Sequence, residues 1–374
     1  MDNKCNICYA GIAWRGKRVG RGRRPLGWIE RCLGVPFLEA YEEWRRLFVG
    51  WKHFVAVLLA TVLAAVPALG EPVRMEREID ADGSSIVIDA SVWAPESLEA
   101  PVLQARIMEW SEEELRRVFF AGQDVSFTHM EYGDGQLVDG VFANRTTQYD
   151  TEDRESLYVY MGTLEFAGAA FDYHDAGRLD TLYLEMPQGQ ALSGAAYQQA
   201  IEAARDKLAQ LGLEAGEVIR GYRCDAALRA QWNIQSQDGY WMQLELCLEG
   251  LPCYPRGFYL ERRDEPVMGS SAWAYVAKGQ VLYLSLLGGV GYEVIGREEA
   301  EGGPMDLEGA IERLTDKYSG LILDGPAVFD EIRYVYMPVP QPNMLYHVDM
   351  RPAWCFMSDS GEVIFDALTG EEIS

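Results

Sequence analysis

Histidine is nearly absent from this 374-residue chain: four occur, and only His129, His174 and His347 lie beyond residue 70. That leaves little material for imidazole-rich metal centres. No Gly-x-Ser-x-Gly stretch occurs, so the strained serine elbow of one large hydrolase class is excluded. Cysteine is scarce, with Cys224, Cys247, Cys253 and Cys355 the four beyond residue 70. Positive charge is also short, 33 Lys and Arg against 58 Asp and Glu for a net charge of −25. Such an excess of carboxylates repels nucleic acid and anionic lipid and keeps a protein soluble. Neither a nucleic-acid partner nor a cofactor is expected.

The charge is unevenly spread. Eleven basic and five acidic residues fall within 1–53, whereas 22 basic residues meet 53 acidic ones after Gly70. Between them stand Trp51-Lys52-His53 and the uncharged run Phe54 to Leu69. A positive stretch, a short apolar helix and small residues are the parts of a secretory signal. Arg45, Arg46 and Lys52 supply the charge, Phe54 to Val66 the helix, and Pro67 breaks it before Ala68-Leu69-Gly70. Cleavage after Gly70 is expected, placing the acidic remainder outside the cytoplasm. The rival is an uncleaved anchor, for which the run falls short of the roughly 20 residues a spanning helix wants. No Cys follows the run, so lipid attachment at a new N-terminal Cys is not expected.

The leader 1–53 carries Cys5-Asn-Ile-Cys8 and a basic cluster from Arg15 to Arg24. It reads either as a cytosolic extension or as residues upstream of a true start near Leu47 or Val49. Two cysteines fall short of a four-ligand zinc site. The arginines fit the excess of positive charge on the cytoplasmic side of an export helix.

Beyond Gly70 the chain reads as folded. Apolar residues make up 48% of the sequence, and six tryptophans follow residue 70, unlike the composition of unfolded acidic chains. Val73 to Ile79 and Ser85 to Trp93 flank the polar turn around Gly83, and Ile86, Ile88, Ala90 and Val92 alternate with period two, predicting a hairpin. Val102 to Met108 reads as a strand leading into Ser111-Glu-Glu-Glu114, a helix start in which cap and third residue satisfy each other's amides. Ser126 to Tyr132, Leu157 to Tyr160, Leu164 to Tyr173 and Thr181 to Met186 read as further strands. Residues 71–190 are therefore expected to form a β-rich N-terminal domain.

Sliding the chain by 110 residues superposes two helices. Tyr197, Ala200, Ile201, Ala204 and Leu208 share one face, as do Leu307, Ala310, Ile311, Leu314 and Tyr318. Ser193 and Asp306 are the expected N-caps and Gly212 the expected stop. Each helix precedes strands carrying a tryptophan, Trp241 before Gly250 and Trp354 before Gly361. Ala272 to Val276 and Gln280 to Leu287 form another expected hairpin around Lys278-Gly279. The fold class is α+β, antiparallel sheets with packed helices, with units at 191–300 and 301–374.

The C-terminal stretch Arg351-Pro-Ala-Trp354-Cys-Phe, then Gly361-Glu-Val-Ile-Phe-Asp366-Ala-Leu-Thr369-Gly370-Glu371, resembles the end of PepSY-type domains and of YycH/YycI-type extracytoplasmic regulators. It is also similar to an uncharacterised family of exported, often lipid-anchored proteins of Gram-positive anaerobes. The resemblance covers Ser193 to Ser374, and Glu71 to Phe120 more loosely. It implies two PepSY-like units and a non-catalytic role, binding or restraining a protein or peptide at the cell surface. The chain departs from the pattern by lacking the lipid-attachment Cys. Asp366, Thr369 and Gly370 also suit a turn on their own chemistry.

Candidate sites are few. Asp172-Tyr-His174-Asp175 places a His among carboxylates, which suits metal or base chemistry, but without any zinc-helix spacing; it equally reads as an exposed loop. His347 and Asp349 share a strand face by period two alone. Gly288-Gly-Val-Gly291 lacks the third glycine and following helix of a nucleotide loop. Asn144-Arg-Thr146 is a glycosylation sequon that matters only in a modifying host. Trp241 and Trp354, with Trp232 and Trp273, are candidates to line a ligand or partner groove, or else core aromatics. Cys247 and Cys253, on the arms of a hairpin turning at Glu249-Gly250, form either a disulfide or two buried thiols. No catalytic, metal or cofactor-binding residue is assigned. The reading is an exported binding or regulatory protein; the alternative is an exported hydrolase of a cell-envelope polymer using carboxylates as acid and base.

Overall fold

The computed structural model describes residues 72–121, 123–132, 136–144, 155–160, 162–186, 188–256, 258–260, 265–286, 289–299, 302–342, 344, 346–358 and 361–373. The basic leader and the apolar run 54–70 lie outside them, as does most of the Asn144-Arg-Thr146 sequon. The fold is α+β, with open, mainly antiparallel sheets and five helices among the described residues. No helix among these residues is long and apolar enough to cross a membrane.

The first sheet opens with the expected hairpin, β1 (Val73–Ala81) and β2 (Ser84–Trp93), followed by β3 (Val102–Ile107). Its remaining strands come from the far end of the chain: β15 (Tyr292–Glu298), β16 (Ala327–Pro340), β17 (His347–Ser358) and β18 (Gly361–Asp366). Their order is β1-β2-β16-β17-β3-β15, with β18 also on β17, and β16 runs parallel to β2. The second sheet has the order β10-β9-β13-β14-β7-β6-β5-β4, with β8 also on β9. It is built from β4 (Val125–Tyr132), β5 (Gln136–Asn144), β6 (Ser156–Tyr160), β7 (Thr163–Ala167), β8 (Glu214–Cys224), β9 (Gly239–Leu248), β10 (Leu251–Pro252), β13 (Ser271–Ala277) and β14 (Gln280–Ser285). A separate pair, β11 (Phe258–Leu260) and β12 (Glu265–Val267), lies between β10 and β13 in sequence. Each sheet therefore crosses the expected boundaries: 71–190 gives strands to both, and β15 of 191–300 joins the first. Backbone pairing across more than 200 residues overrides the local composition on which those boundaries rest.

The two superposed helices form, and each lies on one of the two sheets. The helices are α1 (Glu112–Phe119), α2 (His174–Glu185), α3 (Ala195–Gln210), α4 (Ala226–Trp232) and α5 (Leu307–Tyr318) among the described residues. α3 buries Tyr197, Ala200, Ile201, Ala204 and Leu208 against Met242, Leu244, Ala274 and Leu284 of the second sheet. α5 buries Ala310, Ile311 and Leu314 against Ile86, Ile88, Phe329 and Trp354 of the first. Each large aliphatic side chain so buried contributes about 1.5–3 kcal/mol. Asp306 caps α5 as expected, its carboxylate accepting from the Gly309 amide at 2.8 Å. Ser193 does not cap α3; Gly194 holds that position at φ 101°, turning the chain into the helix one residue later. α1 has the expected capping box, Ser111 with Glu114.

Two strand assignments are corrected. Thr181 to Met186 is the end of α2, and the strand beginning near Leu164 stops at Ala167. Leu182, Leu184 and Met186 mimic period two, but Ala176, Leu179 and Leu182 recur at helical spacing and bury together. α2 packs on the face of the second sheet opposite α3, so that sheet is covered on both sides.

Candidate functional site

Sequence places Asp172, His174 and Asp175 together, and the structure puts them at the start of α2. The Asp172 carboxylate accepts from the His174 amide at 2.9 Å. With Phe171, Gln235 and Ser236, Asp172 and His174 line an open cavity of about 370 Å³. Asp175 points the other way and is completely buried. Its Oδ2 accepts from the Ser236 amide and the Ser236 hydroxyl, both at 2.7 Å, and from the Gln235 amide at 2.9 Å. Its Oδ1 takes the Arg178 guanidinium at 2.6 Å. The Asp172 amide donates to the same Ser236 hydroxyl at 3.1 Å. This carboxylate stitches α2 to the loop that follows α4, leaving no lone pair for a metal or a proton relay. A signal existed in the sequence: Asp175 occupies the apolar stripe with Ala176, Leu179 and Leu182, where an unpaired charge would be costly.

Under α2, the strand registers align a polar row that sequence reasoning missed. Arg220 of β8 stands opposite Gln243 of β9, Gln243 opposite Trp273 of β13, Trp273 opposite Ser285 of β14, and Ser285 opposite Glu165 of β7. α2 lays Tyr183 over this row, edge-on to Trp273 at 5.0 Å and 4.2 Å from the Arg220 guanidinium. At the other end Glu165, buried in the sheet, accepts from Tyr173 at 2.9 Å and Tyr283 at 2.5 Å. Asp180 keeps exposed surface on α2, and partial desolvation of its inner side, then the Glu165 charge, raises its carboxyl from the ordinary range. Burial and the same charge also raise the Tyr283 phenol, keeping it a donor.

A third polar knot joins the sheets. Arg333 of β16 is buried between Glu245 of β9 and Glu331, salt-bridged to both, with its guanidinium 5.4 Å from the Trp93 ring. The free Glu245 oxygen accepts from the Glu217 amide at 3.4 Å.

Trp241 and Trp354, read as groove-lining or else core aromatics, lie buried and apart. Each is 1% exposed, and they belong to different cores. Trp241 stacks on Trp273 at 5.0 Å beneath α2, facing away from α3, while Trp354 faces α5 and donates its indole N–H to the Met305 carbonyl at 2.9 Å. They differ in strand parity relative to their own helices and so are not counterparts. Trp232 packs against the same cluster as Trp241.

Cys247 and Cys253 flank the expected turn, with Glu249 at φ 52° and Gly250 at φ 82°, and both are free, buried thiols, as are Cys224 and Cys355. Burial raises all four, Cys224 and Cys355 to about 12, disfavouring thiolates. His347 begins β17, and its same-face neighbour Asp349 is engaged by the Gln341 amide group at 2.6 Å. Gly291 leads into strand β15, not into a helix. The Asp366 carboxylate accepts from the Leu368 and Thr369 amides at 2.8 and 3.1 Å, and Gly370 takes φ 70°, the turn its residues predict. Arg351 binds the other Asp366 oxygen. Among the described residues no group of three or more His, Cys, Asp or Glu is arranged to hold a metal ion.

No protein-family model and no curated protein matches the chain. Among solved structures it is similar to the C-terminal domain of YpeB from Bacillus megaterium, at 12% identity and TM-score 0.32 over 71% of this chain and 96% of that one. It shares a fold with an uncharacterised protein from Eubacterium rectale ATCC 33656, at 14% identity and TM-score 0.56 over 84% of this chain and 98% of that one.

Proposed function

We propose that this is an exported, non-catalytic binding or regulatory protein that holds a peptide or protein partner at the cell surface. Its core is two PepSY-like helix-on-sheet units, α3 with β8, β9, β13 and β14, and α5 with β16 to β18. Export rests on the sequence: the basic stretch, the apolar run Phe54 to Leu69 and the acidic remainder. The observation that carries the binding reading is the fate of the buried acids. Asp175, Glu165 and Glu245 each have both oxygens engaged by donors of the protein itself. Their chemistry is used in holding elements together.

One observation favours the alternative, a carboxylate hydrolase of a cell-envelope polymer. Asp180 and Glu165 are neighbouring acids in unequal surroundings, and such pairs can divide acid and base roles. Incubating the exported protein and its Asp180→Asn variant with purified cell-wall polymer separates the readings. No release of soluble fragments is expected from either protein. Release that Asp180→Asn abolishes would replace the binding reading with the hydrolase. Sequencing the N-terminus of the exported protein tests the signal, with Glu71 the expected first residue.

A further inference from the structure

The loop from α5 to β16 leaves the protein surface bare and apolar. Residues 319–326 are exposed without interruption. Leu321, Ile322 and Leu323 are 44%, 96% and 36% exposed, and Val328, just inside β16, is 47% exposed. Ile322 is more exposed than any other large apolar side chain among the described residues.

The place of this loop is set by two anchors. At its start, the Ser84 hydroxyl donates to the Tyr318 carbonyl at 2.8 Å, fixing the end of α5 to the β1–β2 turn. At its finish, Ala327 pairs with Ile86 and Val328 with Val87. The apolar tripeptide therefore stands at the tip of the first sheet, beside the turn. Val87 in turn pairs with Glu78, so the outer face runs from an acid through two valines.

The charge around the tip is mainly negative. Glu78, Asp80, Asp82, Asp324 and Asp330 are all exposed there. The two nearby cations are already paired, Lys317 with Glu372 and Arg77 with Glu308, both at 2.6 Å. An apolar contact ringed by exposed carboxylates excludes an anionic lipid surface and disfavours a second copy of this acidic chain. It suits a partner that brings apolar side chains and positive charge together.

We infer that this tip docks a cationic, amphipathic peptide segment of a partner protein. The segment seats its apolar side chains on Leu321, Ile322, Leu323 and Val328 and directs its Lys or Arg side chains to Asp80, Asp82, Asp324 and Asp330. The inference rests on the binding reading above and supplies the chemistry of its partner.

The test is fluorescence anisotropy of a labelled Lys/Leu peptide patterned as an amphipathic helix, titrated with the exported protein, and of a peptide of the same composition shuffled to lose the pattern. The patterned peptide is expected to bind, more weakly as salt rises, and the shuffled one at least about tenfold more weakly. Ile322→Asn, and separately the pair Asp82→Lys with Asp324→Lys, are each expected to weaken binding about tenfold or more. Leu184→Asn, altering another exposed apolar side chain on α2, is expected to leave binding unchanged. All these positions are exposed, and unchanged melting curves establish that the variants fold. Equal affinity for both peptides, or no effect of the tip variants, overturns the inference. So does self-association in sedimentation that Ile322→Asn removes, which would make the tip a contact between copies. If a surface partner is captured from producing cells equally well by Ile322→Asn, the binding reading stands and this surface falls. If the peptide binds here but cells yield no partner, the surface stands and the cellular role falls.

Discussion

Arg333 reaches from the first sheet to Glu245 in the second, so a buried ion pair spans the junction between the sheets. The two residues are 88 positions apart in the chain. Burial disfavours each charge alone, and the attraction between them offsets that cost only while both are present.

Removing one partner is therefore expected to be severe. Arg333→Met leaves Glu245 buried and unpaired, and should lower unfolding stability by about 3–5 kcal/mol. Arg333→Met combined with Glu245→Leu should recover much of that loss. Urea unfolding of the two single variants and the double variant gives the cycle; additive losses would show that the pair is not coupled.

Asp175 should behave as a structural hub. Asp175→Ala strands the Ser236 and Gln235 amides and the Arg178 guanidinium, at a cost of at least about 3 kcal/mol. Ser236→Ala, which removes one hydroxyl, should cost only about 1–2 kcal/mol. Equal, negligible losses on thermal melting would mean that α2 is held by its apolar contacts alone.

Asp180 supplies a pH dependence with a definite sign. Its folded carboxyl titrates above the unfolded value, so its contribution favours folding below about pH 4 and is lost as pH rises through the folded value. At neutral pH, ionising it beside Glu165 works against the fold. Because Asp180 stays exposed, the effect is small: Asp180→Asn should melt slightly higher than the parent at pH 7, and the gap should close below about pH 4. A variant that melts lower at pH 7 would show Asp180 to be held as a stabilising anion.

The buried indoles make a fourth prediction. Trp241→Ala and Trp354→Ala should each cost about 3–5 kcal/mol, since each removes a large side chain from a closed core. Neither should change partner affinity per folded molecule. A loss of affinity without loss of stability would restore the groove.

What could be read from the sequence was local. α3 and α5 announce themselves because five apolar residues in each recur on one face, and the β1–β2 hairpin because its alternation is regular. α2 was hidden, since Leu182, Leu184 and Met186 satisfy a strand pattern over a short window while the helical spacing starts earlier, at Asp175 and Ala176. The polar row was not legible, because Arg220, Gln243, Trp273, Ser285 and Glu165 meet only through four strand registers. The same holds for β16 beside β2: nothing local to Ala327 or Ile86 names the other. Parity explains the tryptophans, since one step along a strand turns a side chain to the opposite face.

The most direct test of the account is affinity capture with the exported protein from surface extracts of its own producing cells, with mass spectrometry of prey and bait. The account predicts one defined surface protein or peptide, retained at near-equal amounts, and a bait that begins at Glu71. No retained partner, with soluble wall fragments accumulating in the presence of the protein, would contradict it and leave the acid pair at Asp180 and Glu165 as the centre of function.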